Sequence, residues 1–239
     1  MLPCGRCGEG ARKSLPRSLS DTLAPMAFLF ETRPFSDESK RKAVESLLES
    51  ALPDRDFYLL VIGAALFALC GIALDSIPVL IGAMIVAPLA APILALGLGI
   101  AALDMRLVAR SAATLAVASL AAAAIAAIAA HFFPPFTING TFISFVAHPF
   151  YDALIALIAG AIAAYGYVRT KAGGALTGIG VAVSLMPPLV ASALALGTSQ
   201  GALFRESSLI FLLNVGGILV GSLVVFLFFG MNASHRQKI

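Results

Sequence analysis

Residues 81–99 read IGAMIVAPLAAPILALGLG. The stretch is apolar enough to lie inside a bilayer, yet it carries Pro88 and Pro92 together with Gly82, Gly97 and Gly99. A proline inside a helix removes one hydrogen-bond donor and frees the carbonyl four residues back. In hydrocarbon an unsatisfied backbone group costs several kcal/mol. A membrane segment that breaks its own helix therefore needs protein or a wet cavity beside the break.

The surrounding composition supports a bilayer setting. Of 239 residues, 59% are hydrophobic and 12% charged, with a mean hydropathy of +0.95. Soluble domains carry about 25% charged residues. So little charge cannot cover a water-facing surface, which places the chain among membrane proteins. Nine of the 16 Lys and Arg, and nine of the 13 Asp and Glu, precede Phe57. The chain accordingly divides into a disordered arm (1–35), an amphipathic helix (36–53), a transmembrane domain (57–230) and a basic tail (231–239). Met26 is an alternative initiator, and the first 26 residues lack the apolar core of a signal peptide.

In SDESKRKAVESLLESAL (36–52), Val44, Leu47, Leu48, Ala51 and Leu52 form one apolar stripe at helical spacing. Ser36 or Asp37 can cap this helix and Pro53 stops it. It is expected to lie on the membrane surface or to pack on the cytoplasmic ends of the bundle.

Six apolar spans follow, near 57–74, 77–101, 107–130, 151–168, 173–197 and 207–230. Each has close to the roughly 20 residues that a crossing helix needs. With the N-terminus inside, 15 basic residues lie on the inner side and only Arg205 lies outside. Making 77–101 and 173–197 re-entrant would leave 11 basic residues inside and put five outside, Arg106, Arg110, Arg169, Lys171 and Arg205. The positive-inside rule favours full crossing, with both termini cytoplasmic. The outer loop, 131–150, holds Asn139-Gly140, a type I′ hairpin signal flanked by alternating residues.

The opening segment has a partner, IGVAVSLMPPLVASALALG (179–197), with Pro187 and Pro188 about midway. At this spacing of 98 both runs start Ile-Gly, and Arg106 answers Arg205 at 99. The expected fold is all-α: a polytopic bundle of six spans as a 3+3 inverted repeat, about 57–130 and 150–230, with proline-broken second and fifth spans. Three spans per unit is odd, so the second unit enters from the opposite face. Paired interrupted helices at matching positions of two inverted halves point to a transporter site. Packing kinks are the plainer reading of the same prolines.

Asn214 is the clearest polar residue in a span, and Ser184, Thr177 and Ser192 are weaker candidates. A buried amide in a bundle faces the interior and finds partners there. It would serve either the carbonyls freed by Pro187 and Pro188 or a solute. The candidate pathway residues are thus Pro88, Pro92, Ser184, Pro187, Pro188 and Asn214. No acid sits at mid-membrane, since Asp75, Asp104, Asp152 and Glu206 all fall at span ends.

Cys4-x-x-Cys7 supplies two of the four ligands of a structural zinc site, so no metal is expected, nor from His131, His148 and Asp152. No catalytic set, nucleotide loop or nucleic-acid motif occurs, so no enzyme and no cofactor are expected. The Ala118, Ala122, Ala126 and Ala130 series and the Gly174/Gly178 and Gly217/Gly221 pairs suit close helix contacts, within the chain or in a homo-oligomer.

IGAMIVAPLAAPILALGLGIAALDMRLVARS and GIGVAVSLMPPL, followed by FLLN, resemble the prokaryotic membrane proteins grouped as domain of unknown function 389, over about residues 56–230. The resemblance implies a multi-pass protein of a prokaryotic cytoplasmic membrane and assigns no substrate. Members commonly carry a larger soluble domain than the arm here, and the loop 131–150 is unlike the usual one. Two functions stay open: a small secondary transporter or channel-like permease for an unknown small solute or ion, and a non-transporting scaffold, lipid-binding or assembly protein.

Overall fold

A computed structural model of the chain describes residues 44–49, 51–132, 149–169 and 185–231. Seven helices are delimited there: α1 (Arg55–Ala73), α2 (Ile77–Val86), α3 (Ala90–Ala101), α4 (Met105–Phe132), α5 (Pro149–Arg169), α6 (Met186–Gly197) and α7 (Gly201–Phe228). No strand occurs among the described residues. The Asn139-Gly140 turn, Ser184, Thr177, the Gly174/Gly178 pair and the Cys4/Cys7 pair lie outside them.

Four helices, α1, α4, α5 and α7, are long and apolar enough to cross a membrane. The bent pair α2 and α3 makes a fifth if it is one span, and α6 is a shorter apolar helix. Their outward faces carry Leu59, Leu66, Phe67, Leu120, Ile162, Leu212 and Val224, all exposed. Lipid tolerates such a surface and water does not. The helix at 44–49 buries Leu47 to 1% exposure and Ala51 behind it, so its apolar stripe is docked, while Leu52 stands out.

Short turns tie the helices together with one repeated geometry. After α1, the N–H groups of Leu74, Asp75 and Ser76 donate to Cys70, Ile72 and Gly71 carbonyls at 2.9, 3.3 and 2.9 Å. After α3, Ala102, Leu103 and Asp104 donate to Leu98, Ile100 and Gly99 at 2.8, 3.1 and 2.8 Å. After α6, Thr198, Ser199 and Gln200 donate to Leu194, Leu196 and Ala195 at 2.9, 3.3 and 2.8 Å. Each is a Schellman cap, which satisfies the last carbonyls through one left-handed residue. That residue is Asp75, Leu103 or Ser199, with φ of 49°, 54° and 59°.

Glycine normally fills that position, and a left-handed leucine costs about 1–2 kcal/mol. Leu103 is 72% exposed, so little packing is lost with it. Leu103→Gly is expected to stabilise the protein by about 1 kcal/mol, read as a raised thermal midpoint in detergent.

The caps also fix a register that the sequence motifs misplace. Adding 96 to the bounds of α3 gives those of α6, and adding 96 to those of α4 gives those of α7. Leu103 and Ser199 correspond at the same spacing, as do the ends of α1 and α5 at Ala73 and Arg169. At 96, Leu89, Pro92, Ala95, Leu98 and Ser111 match Leu185, Pro188, Ala191, Leu194 and Ser207. The spacing of 98 drawn through the Ile-Gly starts is therefore corrected by two residues. Arg106 corresponds to Ala202, and Arg110 to Glu206. Helix ends decide this, because a backbone cap admits no slippage whereas an apolar run does.

The α5–α7 pair is the most extensive contact in the fold. A Cβ on Gly217 would meet Ala153 O and Ala156 Cβ at 2.9 Å each, and one on Gly221 would collide with the carbonyl of Leu157. Gly160 likewise faces the backbone of Ile218. The contact advances along both helices together, so α5 and α7 run parallel, backbone against backbone. The Gly217/Gly221 face is thereby used inside the chain, and the Ala118, Ala122 and Ala126 face is fully buried as well.

Candidate functional site

The break in the opening segment lies at one peptide. Ala87 caps α2 in an extended conformation, with ψ of 120°. A residue before proline prefers that conformation, so Pro88 ends α2. The chain resumes as α3 at a bend of 49°.

Pro92 is the third residue of α3, and Pro187 and Pro188 are the second and third of α6. In a first turn the missing N–H has no helical partner to lose. These three prolines therefore start helices. The expectation that each frees a carbonyl inside a running helix is corrected: among the described residues, Pro88 alone sits at an interruption.

Both of these short helices are interior. Ten of twelve residues are buried in α3, Pro92 among them, and ten of twelve in α6, including Pro187 and Pro188. Two of the shortest helices thus hold the centre while the long ones face outward. α3 packs on α4 and α7, and α6 packs on α7 and α4. The four close a ring in which α3 and α6 stand on opposite sides. A further shell of α1 and α2 packs beside α4 and α6, with α5 beside α7.

The two long helices of the ring present matching buried stripes. On α4 the stripe is Ser111, Thr114, Ala118, Ala122 and Ala126. On α7 it is Ser207, Ile210, Asn214, Ile218 and Ser222, each 96 residues on. Asn214 is 2% exposed and sits at the midpoint of α7. Its counterpart is Ala118, so the polar centre of the ring is one-sided. Ser222 reaches α3, where Gly97 leaves room for its hydroxyl.

Most buried hydroxyls here are satisfied by their own helix. Thr114 donates to Arg110 O at 3.0 Å, Ser192 to Leu189 O at 2.7 Å and Ser222 to Leu219 O at 2.9 Å. This is the usual arrangement for serine and threonine in an apolar helix. Ser192 thus bonds within its own helix. Ser207 differs: it is 0% exposed, and its Oγ has no hydrogen-bond partner among the described residues. Motif reading missed Ser111 and Ser207. The signal that finds them is their identity at a spacing of 96, visible once helix ends set the register.

No group of three His, Cys, Asp or Glu residues that could hold a metal occurs among the described residues. Cys70 is exposed on α1. Asp104 accepts from the N–H groups of Arg106 and Leu107 at 3.0 and 3.2 Å, so it caps α4.

With this geometry in place, comparison with known proteins adds a family. The family model described as domain of unknown function (DUF389) matches residues 84–220. The chain belongs to this family. The match begins within α2 and ends within α7, so it includes the break at Pro88, the short helices α3 and α6 and Asn214. The chain is also similar to an uncharacterised protein of Methanocaldococcus jannaschii, 27% identical over 214 residues, which are 86% of this chain and 67% of that protein. No solved structure matches it.

Proposed function

We propose that the chain is a small permease, a secondary transporter or channel-like path for a small solute or ion. In this reading six spans form a 3+3 inverted repeat in the cytoplasmic membrane of a prokaryote, with both termini inside. The observation that carries it is the pairing of α3 with α6. Two short, buried, proline-started helices stand at matching places 96 residues apart and face each other across a ring. Paired interrupted helices in two halves of opposite orientation are the sequence pointer to a transport site. Interrupted backbone at membrane depth is tolerated where protein buries it or water reaches it. The pathway lies inside the ring of α3, α4, α6 and α7, with Pro88, Pro92, Pro187, Pro188 and Asn214 on its walls. The described stripes carry amide and hydroxyl groups and no formal charge, which favours an uncharged or singly charged solute.

Thiol accessibility tests this reading. In a background lacking Cys4, Cys7 and Cys70, single cysteines replace Ala87 and Asn214, both buried. Leu103→Cys and Ser199→Cys, on exposed turns, are the controls. A membrane-impermeant thiol reagent is expected to label both buried positions, because water reaches the ring. Reaction of the controls with none at Ala87 or Asn214 would mean a dry core and end the permease reading.

A further inference from the structure

We propose that Ser111 and Ser207 are the two mouths of one polar path through the four-helix ring, each opening to a different face of the membrane. The inference rests on the permease reading and adds where the path opens and what travels in it.

Three observations lead there. First, the residues are equivalents. Each is the seventh residue of a 28-residue helix, each follows a tight Schellman turn, and both are serine. Second, each lies just inside the last charges of its helix. Ser111 directly follows Arg110, and Ser207 directly follows Arg205 and Glu206. Both nevertheless are turned inward, 3% and 0% exposed. Third, the hydroxyl of Ser207 is buried with no protein partner among the described residues. Burial of an unpaired hydroxyl is unfavourable, and ordered water or a polar solute is the usual partner where protein supplies none. Asn214 follows on the same stripe two turns further along α7, about 10 Å away at 1.5 Å per residue. A solute that satisfies Ser207 therefore has its next polar group in line, at the centre of the helix.

The chemistry along this line is hydroxyl, amide and hydroxyl. It donates and accepts hydrogen bonds without charge, and it suits a small uncharged hydrogen-bonding solute or water. Thr114 continues the line on the α4 side, one turn beyond Ser111.

Single Ser111→Cys and Ser207→Cys variants, in the cysteine-free background, are probed with the same impermeant reagent from each face of sealed inside-out and right-side-out vesicles. The expected result is labelling of Ser111→Cys from the inner face only and of Ser207→Cys from the outer face only. Labelling of both from one face, or of either from both faces, overturns the assignment. So does an absence of labelling at both serines while Asn214→Cys reacts, which leaves the permease reading standing with its path elsewhere. Silence at Ala87, Asn214 and both serines, with reactive turn controls, ends both readings together. Should a cysteine variant fail to fold, amide exchange in the unmodified protein decides. Exchange faster across 207–214 and 111–118 than across the glycine seam 217–224 is expected, and equal protection of the three overturns the path.

Discussion

Gly221→Leu is expected to destroy the packing of α7 on α5, with a loss of about 3 kcal/mol or more. A Cβ at Gly221 already collides with the carbonyl of Leu157 and would lie 2.9 Å from the amide of Ala161. Both are backbone atoms of a helix, so neither can rotate away. Overpacking of this kind moves whole elements, and α5–α7 is the most extensive pair in the fold. Gly216→Leu is the matched control, because a Cβ there meets nothing within 4 Å. Thermal melting and monodispersity in detergent check the pair. Gly221→Leu should be recovered as aggregated or strongly destabilised protein, and Gly216→Leu should resemble the parent. Equal behaviour of the two variants would remove the backbone seam from the description.

The second large effect is a rescue at the contact of α3 with α7. A Cβ on Gly97 would lie 2.5 Å from the Ser222 hydroxyl oxygen and 3.5 Å from Ser222 Cβ. Gly97→Ala is therefore expected to cost about 2 kcal/mol, the usual order for overpacking a core. Ser222→Ala alone should cost little, because the hydroxyl bonds only Leu219 of its own helix. In the double variant the nearest contact becomes an ordinary van der Waals distance, so most of the loss should return. The coupling energy of this cycle is expected at about 1–2 kcal/mol, measured by unfolding in detergent. A cycle with no coupling would mean that α3 and α7 are not seated at Gly97 and Ser222. The same experiment bears on function, since this contact closes one side of the ring.

Particular residues show what could be read without coordinates. The helix limits at 57–74, 107–130 and 151–168 lie within two residues of α1, α4 and α5, because apolar length is set by bilayer thickness, whereas α7 starts six residues before the expected 207. The end of α2 beside Pro88 was legible because proline constrains the residue before it. The role of Pro187 and Pro188 was not. A proline pair reads equally as a kink or as a first turn, and only the start of α6 at Met186 decides between them. The likeness of 81–99 to 179–197 was visible, but two residues out of the register that the helix ends share. Its true markers are left-handed positions occupied by Asp75, Leu103 and Ser199, where glycine would have announced the turn.

The amino-acid sequence by itself determined the all-helical class of this protein, the limits of several of its long apolar helices and the break before Pro88. Each of these follows from local quantities: apolar length and proline stereochemistry. Tertiary structure alone decided which helices meet. It set α3 and α6 on opposite sides of a ring, used Gly217 and Gly221 against α5, and turned Ser207 inward. A helix in lipid has apolar residues all round, so its pattern does not say which face is buried. Close packing of backbones and the pairing of polar groups make that choice, and they exist only once the helices are assembled.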